Sequence, residues 1–165
     1  MKNKSENKAH KTNAMRMLES AHVDYDVKTY EVDEDDLGGM HVAAQMAEPP
    51  EQIFKTLVLL GERTGHLVCC IPVNQSLDMK KVARAAGDKK VEMVHMKELF
   101  ALTGYVRGGC SPLGMKKQFP TYIDETAVLF DRIAVSAGER GEQILVNGEE
   151  LAGAVGAKLV DLCIE

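Results

Sequence analysis

No apolar stretch in these 165 residues approaches the roughly 18 that a bilayer span requires. The opening run Met1-Lys2-Asn3-Lys4-Ser5-Glu6-Asn7-Lys8 is polar and lacks the apolar centre of a secretory signal. A cytoplasmic protein without membrane association is expected. Cysteine is scarce: Cys69, Cys70, Cys110 and Cys163 form neither a CxxC pair nor a closely spaced framework, which argues against a disulfide scaffold and for reduced thiols. His10, His22, His41, His66 and His95 are scattered, with no HxxxH spacing, so no metal or other cofactor is expected. Internal repeats and low-complexity segments are also missing.

The composition that remains, 45% hydrophobic and 27% charged, is that of a soluble globule. The length suits one sizeable core and is short for two. Residues 1–11 are expected to be a mobile tail and residues 12–165 a single domain. A net charge of −5 argues against DNA as a partner, but the charges are unevenly placed. Asp33, Glu34, Asp35 and Asp36 concentrate the acid in one loop, whereas Lys80, Lys81, Arg84, Lys89, Lys90, Arg107, Lys116 and Lys117 gather in the middle third. That basic set fits a solvated helix face, and it is also compatible with a local nucleic-acid contact.

Within this ordinary chemistry one lysine is out of place. The run Ile53-Phe54-Lys55-Thr56-Leu57-Val58-Leu59-Leu60 is apolar on both alternating faces, the pattern of a strand buried on both sides. An ammonium there loses hydration and needs a partner, a polar cavity or a bound ligand. Alternatively Lys55 lies at the strand's open end and snorkels to water. Further along, Gly104-Tyr105-Val106-Arg107-Gly108-Gly109-Cys110-Ser111-Pro112-Leu113-Gly114 places four glycines near a proline-fixed turn, where bare backbone amides can approach a ligand.

The remaining pattern predicts mixed elements. Helices are expected from a Thr12 or Asn13 cap with Ala14, Met17, Leu18 and Ala21 on one face, over His41–Ala47, from Ser76 or Asp78 to Gly87 with Met79, Val82, Ala83 and Ala86 inward, over Lys97–Thr103, and from the Asn147 cap with Glu150 in a capping box. Strands are expected over Tyr25–Glu31, around Lys55, over Leu67–Val73 after a Gly61–Gly65 hairpin turn, and at Val91–Val94, Thr121–Asp124, Val128–Phe130, Ile133–Ser136, Gln143–Val146 and Leu159–Ile164. Without strict alternation, the fold class is mixed α/β (α+β), a mixed sheet with helices outside.

Phe54-Lys55-Thr56 together with the Gly-rich segment resembles the YbaK/EbsC family, free-standing relatives of the editing domain inserted in bacterial prolyl-tRNA synthetases. Lys11-Thr12-Asn13-Ala14, Thr29-Tyr30, Lys89-Lys90-Val91-Glu92-Met93, Thr103-Gly104-Tyr105 and Val135-Ser136-Ala137-Gly138 with Arg140-Gly141 agree in order and spacing, so the likeness covers nearly the whole chain. It implies a strongly curved, partly closed mixed sheet with flanking helices and a site in a cleft at its mouth. The implied activity is trans-editing, the removal of cysteine misattached to proline tRNA. Lys55 takes the catalytic position, and Tyr30, Thr56, Gly108, Gly109, Ser111 and Ser136 take substrate-binding positions around the 3′ aminoacyl-adenosine end.

No serine–histidine–acid set is available for hydrolysis: Ser111 is held before Pro112, Ser136 precedes Ala137-Gly138, and no histidine belongs to a matched motif. For the subfamily most resembled, the implied nucleophile is the substrate's own thiol, closing to a thiolactone. The loop from Asp33 to Met40 lacks the phenylalanine that some relatives place over the pocket, so Leu37 or Met40 is expected there. Cys110 stands where an aliphatic residue is common and reads as a packing residue. Relatives that remove alanine from proline tRNA carry an acidic or amide residue after the Gly-rich turn, where this chain has Lys116-Lys117, which favours cysteine. A non-catalytic aminoacyl-ester or nucleotide-binding module is the alternative from another class. Prolyl-tRNA synthetase is the partner expected to supply most of the tRNA selection.

Overall fold

The computed structural model describes residues 10–165. Residues 1–9 of the expected tail lie outside the described residues, but 10 and 11 are engaged: His10 Nε2 lies 3.0 Å from a Glu139 oxygen and 3.2 Å from one of Glu142, and Lys11 binds Glu19. Among the described residues there are five α-helices: α1 (Asn13–Ser20), α2 (Gly39–Met46), α3 (Met79–Ala86), α4 (Leu99–Thr103) and α5 (Gly148–Val155). The strands are β1 (Tyr25–Thr29), β2 (Phe54–Gly61), β3 (Gly65–Pro72), β4 (Val91–Met93), β5 (Thr121–Asp124), β6 (Ile133–Ser136), β7 (Glu142–Val146) and β8 (Lys158–Val160).

Short side chains set the helix ends. Thr12 accepts from the Met15 amide, Asp78 from those of Lys80 and Lys81, and Asn147 from that of Glu150. Gly87 and Gly156 close α3 and α5 in the left-handed region. Ala21 lies beyond the end of α1 and is exposed, and Met79, the first residue of α3, is exposed too; Val82 and Ala83 bury as expected.

The fold is mixed α/β, but hydrogen bonding divides its strands into two sheets. One, ordered β1-β7-β6, is antiparallel throughout; the other, ordered β4-β2-β3-β5-β8, is antiparallel from β4 to β3 and parallel from β3 to β8. A parallel bridge between Ile53 and Ala134 joins them. β2 is apolar on both faces because each face feeds a different core. Phe54 and Val58 pack in a cluster with Leu18, Leu113, Ile144 and Leu151, while Leu59 packs with Ile71, Val82 and Val91. A third cluster sets α2, through Val42 and Met46, against Ile53 and Ala134.

Two expected strands are corrected. Residues 125–129 form a 3₁₀ turn, and β8 ends at Val160 instead of running to Ile164. Buried Asp124 accounts for both: one carboxylate oxygen accepts from the Thr126 amide and hydroxyl, the other from the Leu162 amide, so these groups are drawn out of any ladder.

Candidate active site

Between its two neighbours β2 has an open edge. β4 pairs only with Leu59–Gly61, and β6 reaches the strand at the Ile53 bridge. Ladder alternation directs odd-numbered backbone groups toward β3, as the Val73 amide bond to the Ile53 carbonyl (2.8 Å) shows, and even-numbered ones outward, as the Val94 amide bond to the Val58 carbonyl (3.1 Å) shows. The Phe54 carbonyl and both backbone groups of Thr56 therefore face the gap. A cavity of about 350 Å³ lies there. Because it wraps an edge, side chains from opposite faces of the strand reach it: Lys55 and Thr56 both line it.

Lys55 is half-buried, lines the cavity with Ile53, Leu57 and Met93, and makes no hydrogen bond or ion pair among the described residues. Burial lowers its pKa from the ordinary lysine value. On the other side of the edge stand Thr56, whose hydroxyl lies 3.7 Å from Cys70 Sγ, then Cys110, Gly108, Ser136 and Gln143. Ser136 is nearly buried, and its Oγ accepts from the Gly138 amide at 3.1 Å. Leu37 lines the cavity, filling the place left open in the Asp33–Met40 loop; Met40 does not and is 53% exposed.

Gly108, at φ +86, sits where a Cβ would come 3.3 Å from Arg140 Nε, and Arg140 in turn donates to the Arg107 carbonyl at 2.7 Å. The β6–β7 turn thus clasps the Gly-rich loop from behind. Three residues expected in the site lie outside the cavity lining. Gly109 is pressed against the backbone of Glu139 and Arg140, where a Cβ would meet atoms 3.2 to 3.4 Å away. Ser111 is fully buried and accepts from the Leu113 amide at 3.2 Å, holding the turn. Tyr30 borders a separate crevice of about 10 Å³ that shares Leu37, Val42 and Gly108 with the main cavity. Gly109→Ala is accordingly expected to cost about 1–3 kcal/mol of stability through overpacking, read as a lower melting temperature with the residual activity of the folded fraction retained.

Several lining residues had no signal in the sequence. Gln143 is 5% exposed, its Oε1 has no hydrogen-bond partner among the described residues, and it lines the cavity. Arg107, Met93 and Met96 are exposed and mark the mouth. Cys110 lines the wall, but burial pushes its thiol up to about 12, so it stays protonated at neutral pH. Among the described residues, no histidine, aspartate or glutamate lines the cavity.

The sequence matches the aminoacyl-tRNA editing domain over residues 40–154, which contain the whole lining except Leu37, Gly38 and Gly39. The chain belongs to the aminoacyl-tRNA editing domain family. It is 49% identical over 152 residues, 92% of this chain and 93% of the other, to EbsC of Enterococcus faecalis, provisionally named a Cys-tRNA(Pro)/Cys-tRNA(Cys) deacylase. Two solved structures share the fold. One, provisionally described as a trans-editing enzyme for prolyl tRNA synthetase, matches with a TM-score of 0.78 at 24% identity, covering 93% of this chain and 96% of that one. The other, hypothetical protein APE2540, has a TM-score of 0.84 at 20% identity over 93% of this chain and all of its own. As a member of an editing family, the protein is an aminoacyl-tRNA deacylase acting on mischarged tRNA. No helix among the described residues is long and apolar enough to cross a membrane.

Proposed function

We propose that this editing enzyme removes cysteine from mischarged proline tRNA, with the substrate's own thiol as nucleophile. The observation that carries the reading is a cavity with a desolvated ammonium and, among the described residues, unpaired backbone groups but no acid–base pair in its lining. Lys55 holds and polarises the ester carbonyl, helped by the Gly108 backbone, while Thr56 and Ser136 shape the space for a small side chain. Gln143 Oε1 is an acceptor suited to the substrate's ammonium or ribose hydroxyl. In the reaction the substrate sulfur bonds to the carbonyl carbon, the carbon–oxygen bond to the ribose breaks, and the ribose oxygen takes up a proton to balance the one lost by the thiol. The products are deacylated tRNA and cysteine thiolactone. EbsC's name supports cysteine as the amino acid. The net charge of −5 makes tight binding to the tRNA body unfavourable, so prolyl-tRNA synthetase is proposed as the partner that presents the substrate.

Purified protein offered Cys-, Ala- and Ser-charged proline tRNA tests this reading. Cysteine should be released far faster than the other two; preferential release of alanine would overturn the cysteine assignment.

A further inference from the structure

The cavity suits an amino acid and the terminal nucleoside that carries it, being at the lower end of the range for small-ligand sites. The preceding nucleotides of the acceptor end must then leave across the mouth. Met93 and Met96 line the cavity and are 43% and 59% exposed, so they form part of that rim. Phe100 continues it, directly after the lining residue Leu99, and is 57% exposed. In a chain with four phenylalanines this exposure stands out: Phe54 and Phe119 are buried and Phe130 is half-buried.

Lys116 Nζ lies 5.3 Å from the centroid of the Phe100 ring and donates to the Ala101 carbonyl at 3.5 Å. The Lys116 amide bonds the Thr103 carbonyl, which folds the basic end of the Gly-rich segment over α4. Exposed Arg107 lines the cavity and adds a second cation, and exposed Lys97 follows the lining residue Met96 in sequence, in a molecule whose net charge is −5. An exposed ring with an ammonium over it, following a lining residue of a cavity that also bears Arg107, is the composition of a stacking platform for single-stranded nucleotides. A protein partner would require no such local basicity.

Resting on the deacylase reading above, we infer that Met96, Phe100 and Lys116 form a platform at the mouth of the cavity for the two cytidines that precede the terminal adenosine of tRNA. Phe100 stacks a base, and Lys116 holds the ring's position and neutralises the adjoining phosphate.

The test compares the unacylated trinucleotide CCA with adenosine as ligands. CCA carries no ester, so its binding reads the platform independently of deacylation. Wild type should bind CCA about tenfold or more tightly than adenosine. Phe100→Ala should bring CCA down to the adenosine level while leaving adenosine unchanged, Phe100→Trp should retain the difference, and Lys116→Gln should lose part of it. In kinetics, Phe100→Ala should raise KM for Cys-tRNA about tenfold with kcat unchanged, and should not affect a cysteinyl-adenosine ester. Equal wild-type affinity for CCA and adenosine would overturn the inference. So would parallel loss of both ligands in Phe100→Ala, or a defect seen only when prolyl-tRNA synthetase is present, which would make the rim a protein-docking surface.

Discussion

Lys55→Met is expected to yield a folded protein more stable than wild type, with deacylation reduced by about a hundredfold or more, the scale on which removal of one preorganised electrostatic group acts. The stability gain follows from desolvation: the ammonium has no ion-pair or hydrogen-bond partner among the described residues, and burial lowers its folded-state pKa. Between that lowered value and the ordinary value of the unfolded chain, the unfolded state binds more protons. Wild-type stability therefore rises with pH through that window, and the cost of the charged lysine is felt in full below it. Methionine has no such cost, so the variants should differ most near neutrality and converge at alkaline pH. Solvent screening at the mouth keeps the neutral-pH gain small, read as a melting temperature above that of wild type. Lys55→Arg should remain inactive, because a planar fork does not reproduce a compact ammonium in a shaped cavity. A folded Lys55→Met protein with near-normal turnover would remove Lys55 from the site.

A cysteinyl ester should be cleaved at least about a hundredfold faster than a seryl ester of nearly equal size. Holding a thiol against its own carbonyl supplies the nucleophile at high effective concentration, whereas a hydroxyl in the same place needs a base that the cavity lining does not contain. Cys110→Ser should keep activity within a factor of a few, because its buried thiol is protonated at neutral pH. Comparable seryl and cysteinyl rates, or inactivation of a folded Cys110→Ser protein, would point to water or to a protein thiol.

Lys55 was legible in the sequence because a charge in an apolar run violates a strong rule, and the structure places it in the cavity together with Thr56, Gly108 and Ser136. Gly109 and Ser111 share the Gly-rich segment but lie outside the lining, since sequence proximity does not distinguish a glycine that meets ligand from one that lets two loops pack. Neither Gln143 nor the open edge of β2 was readable: each depends on which strands pair, a long-range property carried by the single Ile53–Ala134 bridge and the short β4 ladder. Capped helices and alternating strands were recovered closely. The segments after Asp124 were not, because one buried carboxylate captures the Thr126 and Leu162 amides from opposite ends of the intervening chain.

The identity of the first product tests the account most directly. Cys-charged proline tRNA is mixed with enzyme, quenched in acid within one turnover, and the released amino acid is weighed by mass spectrometry. Thiol attack predicts a species lighter than cysteine by one water, which converts to cysteine only after release. Free cysteine as the first product, with no thiolactone at the shortest times, would contradict it.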